Sequence, residues 1–224
     1  MLAPAHIKRA VPTSLPLLPL AAKWRGQTVA LYGGSFNPAH AGHLHVAEQA
    51  LKRLPVDAVW LLVSPGNPLK VPDPQLGKAQ GEMAAFKPRL QSAARIAATH
   101  PRIFACDLEA RLGTRYSADT IDCLHKYMPH TRFIWIMGAD NVKNFHRWRR
   151  WHHFARTLPI AIFDRPGYAE RAFATRFAQS FAKFRTLPDK LLAKQAPVWT
   201  FVSLPRHKAS ATEIRQEKGL CWHA

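Results

Sequence analysis

An apolar run, "TVALY" (28–32), stops at two glycines and a proline-bearing turn, "GGSFNPAHAGH" (33–43), and gives way to "HLHVAEQALKRL" (43–54). No other feature of the chain limits its fold so sharply. The run reads as a short buried strand. In the segment after the turn, Val46, Ala47, Ala50 and Leu51 recur at helical spacing. "AVWLLVS" (58–64) is a second apolar strand. Strand, helix and strand in so short a span suggest a βαβ unit, and hence a parallel sheet.

The alternation continues. A Pro- and Gly-rich stretch, "PGNPLKVPDPQLGKAQGEM", reads as an exposed loop. A helix is expected over 86–100, then a strand in "RIFACDLE" (102–109). "SADTIDCLHKYM" (117–128) reads as a helix with Ser117 as its N-cap. "RFIWIM" (132–137) and "LPIAIF" (158–163) are further strands, the first closing on Gly138-Ala139-Asp140. A basic amphipathic helix is expected over 168–185, a late strand in "PVWTFVSL" (197–204) and a last helix from "SATEIRQE" (210–217). The economical reading is α/β: one Rossmann-like domain, a parallel sheet flanked by helices, over residues 27–224. Residues 1–26 read as a basic, proline-containing extension. Pro12, Pro16 and Pro19 argue against a signal-peptide helix there.

Apolar residues make up 47% of the chain, which fits a globular protein. Lys and Arg number 32 against 14 Asp and Glu, a net charge of +18. Such a field attracts polyanions: nucleotides, nucleic acid or an anionic surface. The cysteines, Cys106, Cys123 and Cys221, are widely spaced and form no CxxC pair. Free thiols in a reducing cytoplasmic setting are expected rather than a metal cluster or a disulfide scaffold. No apolar run approaches the length of a membrane span.

The turn suits phosphate. Gly33 and Gly34 permit a tight bend and a close backbone approach to a ligand. The helix that follows offers unpaired N–H groups and the positive end of a dipole. His40 and His43 are three residues apart and can share one side of the turn, where imidazole N–H groups would meet phosphate oxygens. A metal reading of the two histidines has no clear third ligand and sets a cation at a positive helix end. The turn is neither GxGxxG nor GxxxxGK(S/T).

"GGSFNPAHAGH" resembles the GG(S/T)FDPxHxGH signature of the HxGH nucleotidyltransferases, and "ASATEIR" (209–215) resembles their C-terminal ISSTxIR. Two signatures in the right order, about 170 residues apart, are more specific than either alone. "SPGNPLK" (64–70), "RYSADTI" (115–121), "FIWIMGADNVKNFHRW" (133–148) and "FDRPGY" (163–168) look like segments of the nicotinate-nucleotide adenylyltransferases within that superfamily. The resemblance runs from about residue 28 to about 217. It implies adenylyl transfer from ATP to nicotinate mononucleotide, giving deamido-NAD and pyrophosphate, with Mg2+ expected alongside ATP.

The same resemblance implies the roles of individual residues. His40 and His43 match the catalytic pair. Gly33, Gly34 and Ser35 match the turn around the reacting phosphates, and Ser210, Thr212 and Arg215 match the group that holds the outer phosphates. Gly138 and Asp140 match the segment near the ATP ribose and adenine. Trp148 matches the tryptophan that stacks on the pyridine ring. Tyr116 and Ser117 match the segment whose amides receive the nicotinate carboxylate, and Thr120 and Lys70 match positions lining the substrate site. Without the resemblance, Trp148 reads as packing; for Asp140, capping the helix after 132–137 is an alternative role, compatible with ligand contact.

Some positions depart from the family pattern. Asn37 stands for an aspartate, Leu69 for a histidine, and Ala209 and Ala211 for Ile and Ser. Nicotinamide mononucleotide and phosphopantetheine are alternative acceptors. A nucleic-acid-binding module is the rival from another class, motivated by the charge and by "HRWRRWHH" (146–153), but it leaves both phosphate signatures without a role. Oligomeric state is not readable from the sequence.

Overall fold

The computed structural model describes residues 18–66, 83–165 and 168–204. In chain order its elements are α1 (Leu18–Lys23), β1 (Thr28–Gly34), α2 (Ala41–Arg53), β2 (Ala58–Val63), α3 (Phe86–Ala97), β3 (Ile103–Cys106), α4 (Leu108–Leu112), α5 (Ser117–Tyr127), β4 (Arg132–Gly138), α6 (Ala139–Phe145), α7 (Trp151–Thr157), β5 (Ile160–Phe163), α8 (Ala169–Phe173), α9 (Arg176–Ser180) and β6 (Trp199–Val202). The six strands form one sheet in the order β3-β2-β1-β4-β5-β6, and every neighbouring pair is parallel. The expected Rossmann-like sheet is therefore observed. The order reverses between β1 and β4, and open sheets of this kind bind ligands in the crevice at such a point.

The strands are apolar on both faces because both faces are covered. Ala30, Tyr32, Val59, Leu61, Ile134 and Ile136 pack with α2 and α3. Val29, Leu31, Trp60, Phe133, Trp135 and Met137 pack with α5 to α9 on the other side. Trp24 joins this second core at 6% exposure, edge-on to Trp60, and its carbonyl accepts from the Thr131 hydroxyl. Residues 18–26, read above as part of an extension, therefore hold a short helix and a buried indole against the sheet.

Three sequence expectations are corrected. The end of "RIFACDLE" is not strand: Leu108 and Glu109 open α4, which Gly113 ends in a left-handed conformation. The helix expected over 168–185 is broken into α8, α9 and a 3-10 turn at Ala182–Phe184, and the Thr175 side chain starts α9 by accepting from Ala178 N–H. Ser117 is not the N-cap of α5. Tyr116 holds that place in extended conformation, and the Ser117 hydroxyl turns to Glu109. The last helix falls outside the described residues. Among them, no helix is long and apolar enough to cross a membrane.

Candidate active site

The C-terminal ends of β1 and β4 flank the point where strand order reverses, and the glycines there answer to packing first. A Cβ on Gly33 would overlap the indole of Trp135, and one on Gly138 would overlap Asp140 and approach Arg165. Phe36 follows with φ of 46°, in the left-handed region that bulky residues avoid. It is held there by burial, at 1% exposure, between the rings of Tyr32 and His43. Backbone in such a region persists only where its surroundings over-determine it, and functional turns are where it is found.

The two histidines form the start of α2. His40 is buried and is the N-cap; its Nδ1 accepts from Gly42 N–H at 3.1 Å. His43 Nδ1 accepts from His40 N–H at 3.2 Å. This is a capping box made of two imidazoles, with ring centroids 3.9 Å apart. A neutral ring whose Nδ1 accepts a backbone hydrogen bond carries its hydrogen on Nε2. Both rings are thus set as Nε2–H donors, the tautomer that a phosphate oxygen requires. The helix begins at Ala41 rather than at 43, so Gly42 lies in its first turn.

On the neighbouring strands, Asp140 sits in the first turn of α6 and pairs with Arg165 beyond β5, Nε to Oδ1 at 3.2 Å. Tyr32 at the end of β1 completes the cluster: burial pushes its phenol up, against the pull of the Arg165 cation. Asp140 is thus an ion-pair partner, and Gly138 is the N-cap position. Arg165 stood in the quoted "FDRPGY" without an assigned role. Its signal was its place at the end of the strand beside β4.

The segment read as the acceptor site forms a second group. Glu109 is buried, accepts from Ser117 Oγ at 3.1 Å and lies 3.5 Å from Thr120 Oγ1. Thr120 is fully buried and shares a 2.7 Å hydrogen bond with Thr114. Burial pushes the Glu109 carboxyl up to about 7, against the hydrogen bonds from Ser117 and Thr120. The Tyr116 ring lies under the Arg149 guanidinium at 4.7 Å, and Arg150 pairs with Asp119 and Asp122. These contacts bring 116–122 against the stretch that holds Trp148. Trp148 itself is half-buried, edge-on to Trp135, Phe145 and Phe154. Trp151 packs on Phe145 and Phe181. The tryptophans of "HRWRRWHH" therefore lean on the core by their edges.

The structure thus gathers His40, His43, Gly33, Gly34, Ser35, Gly138 and Asp140 along one sheet edge, and Tyr116, Ser117, Thr120 and Trp148 on one of its flanks. Lys70, Ser210, Thr212, Arg215 and the departures Leu69, Ala209 and Ala211 lie outside the described residues. Sequence reasoning missed Arg89, a buried arginine in α3 whose guanidinium donates to the Ser35 carbonyl at 2.7 Å. A single basic residue in an amphipathic helix gives no sign of burial.

Residues 31–217 match the cytidylyltransferase-like family. A probable nicotinate-nucleotide adenylyltransferase of Cereibacter sphaeroides is 45% identical over 187 residues, covering 84% of this chain and 96% of the relative. One of Methylorubrum extorquens is 46% identical over 190 residues, covering 84% and 98%. Among solved structures, the Plasmodium falciparum nicotinic acid mononucleotide adenylyltransferase complexed with NaAD superposes with a TM-score of 0.61 at 16% identity, covering 85% of this chain and 83% of that one. That likeness establishes the fold. With a parallel sheet, a glycine turn and a histidine pair at its edge, and relatives matched over nearly their whole length, the chain belongs to the cytidylyltransferase-like family and, within it, to the nicotinate-nucleotide adenylyltransferases.

Proposed function

We infer that the protein transfers the adenylyl group of ATP to nicotinate mononucleotide in NAD biosynthesis, and that the two gathered groups of residues divide the substrates between them. A phosphate oxygen of the mononucleotide attacks the α-phosphorus of ATP. The bond from that phosphorus to the bridging oxygen breaks, and pyrophosphate leaves as deamido-NAD forms. The attacking group is already an anion, so no protein nucleophile is required. Positioning and charge stabilisation remain for the protein to supply.

The observation that carries the residue assignment is the histidine capping box. It fixes two Nε2–H donors beside a helix N-terminus and a glycine turn, where phosphate charge is stabilised without reorganisation. Gly33, Gly34 and Ser35 then border the reacting phosphates. Gly138 and Asp140 border the nucleoside, with Arg165 as a further cation. Tyr116, Ser117, Thr120 and Trp148 border the pyridine ring, and Lys70, Ser210, Thr212 and Arg215 are assigned from their motifs.

Mg2+ is read as arriving on the triphosphate. Among the described residues no group of three or more His, Cys, Asp or Glu side chains is placed to hold a metal ion, and Asp140 is engaged by Arg165. These residues build no cage for Mg2+. Among the described residues, Cys106 and Cys123 form no disulfide, which supports the cytoplasmic setting read from the cysteine spacing.

The test is pyrophosphate release with ATP and, in turn, nicotinate mononucleotide, its amide and phosphopantetheine. Turnover is expected to be fastest with the first. A folded protein inactive on the first acceptor but active on another would overturn the acceptor assignment.

A further inference from the structure

We propose that Arg89 and Ser92, two buried residues one turn apart on α3, are positioning residues that clamp the turn from Ser35 to Ala39 and so set His40 and His43 against the triphosphate. The proposal rests on the reaction inferred above and adds residues that neither signature contains.

Arg89 is 1% exposed, and four of its five guanidinium N–H donors meet carbonyl oxygens. It donates to Ser35 O at 2.7 Å, Ser64 O at 2.8 Å, Pro65 O at 3.0 Å and Ala84 O at 2.9 Å. These acceptors belong to three segments: the turn after β1, the end of β2 and the approach to α3. A buried cation is costly unless it is paired or fully hydrogen-bonded. Among the described residues, Arg89 meets that cost with backbone acceptors rather than a carboxylate. A planar fork of donors can reach four such points; an ammonium cannot.

The clamp has two further contacts. Ser92 Oγ, on a side chain 3% exposed, donates to Arg89 O at 2.8 Å and accepts from Ala39 N–H at 3.0 Å, one residue before His40. Ala84 N–H donates to Asn37 Oδ1 at 3.1 Å. The turn is therefore held at 35, 37 and 39, each time by α3 or its lead-in. Asn37, where the family pattern has aspartate, keeps the acceptor oxygen this contact needs. The geometry also orients the turn. In a trans peptide the carbonyl and the next N–H point opposite ways. Drawing Ser35 O back onto Arg89 aims Phe36 N–H away from α3.

The experiment compares the wild type with Arg89→Lys and Ser92→Ala. Folding is checked by circular dichroism and melting, kcat and both KM values by pyrophosphate release, and ATP affinity by calorimetry. A clamp predicts kcat lower by about 100-fold in Arg89→Lys and about tenfold in Ser92→Ala. It also predicts weaker ATP binding in Arg89→Lys and a KM for nicotinate mononucleotide within about twofold of wild type. A residue that only packs would lower the melting midpoint and leave kcat per folded molecule unchanged. Folded variants with kcat and ATP affinity near wild type overturn the proposal. If Arg89→Lys does not fold, Ser92→Ala decides alone. A wild type that binds ATP but ignores nicotinate mononucleotide would count against the inferred reaction, while ATP affinity of the variants would still judge the clamp.

Discussion

The two sides of the sheet edge are built from different materials. On the α2–α3 side, the turn from Gly33 to His43 is held mainly by its backbone groups: one carbonyl taken by Arg89, one N–H by Ser92, and two N–H groups by imidazoles. On the α5–α7 side, side chains do the holding. Glu109 gathers Ser117 and Thr120, Arg149 lies over Tyr116, and Arg150 and His153 meet Asp122 near solvent. A site for a group common to every nucleotide can be cut into the backbone. A site that must tell one acceptor from another needs polar groups held in place, and here side chains hold the segment whose amides are assigned to the carboxylate. The contrast predicts that lesions on the first side strike the chemical step and lesions on the second strike acceptor binding or pH response.

The sharpest way to break that contrast is His43→Ala. Its kcat is expected to fall by about 10²- to 10³-fold with ATP binding largely kept. A near-normal kcat would remove His43 from the chemistry and leave it a cap.

Next in size is the buried carboxyl. Glu109 is pushed from an ordinary 4.5 up to about 7. Between these values the folded protein keeps a proton that the unfolded chain has lost. Stability therefore falls as pH rises from about 4.5 to about 7 and is flat above, a loss on the order of 3 kcal/mol. Glu109→Gln keeps the acceptor oxygen and removes the titration. Its melting midpoint should exceed wild type at pH 8 and match it at about pH 4, below the unfolded value; parallel pH curves for the two proteins would show that Glu109 is not the source.

Trp148→Leu retains apolar bulk against Trp135 and Phe145 but removes the stacking face. About a tenfold rise in KM for nicotinate mononucleotide, with KM for ATP unchanged, is expected. If neither moves, Trp148 is packing alone. The smallest effect belongs to Arg150→Ala. Its side chain is 40% exposed, and its pairs with Asp119 and Asp122 should contribute less than about 1 kcal/mol in chemical denaturation, less still in high salt.

Much of this was legible from one sequence. The strands in "TVALY", "AVWLLVS", "RFIWIM" and "LPIAIF" are apolar on both faces, and a sheet covered on both sides demands that. The glycines and histidines were legible as a phosphate turn, but the reason for Gly33 was not: the indole that fills its side-chain space lies on a strand a hundred residues away, at Trp135. α4 escaped notice because five residues show no periodicity. The break at Thr175 was hidden because apolar spacing runs on across it. Arg89 and Ser92 were invisible because a polar residue pointing inward looks, in one sequence, like one pointing out.

Trp135 has one more consequence. Its indole occupies the space beside Gly33 on one side and meets Trp148 edge-on at 5.9 Å on the other. A single rigid ring thus serves as the gauge block between the phosphate turn and the tryptophan assigned to the pyridine. Under that assignment, the spacing between the turn and Trp148 includes the breadth of one aromatic ring, which covalent bonds hold constant.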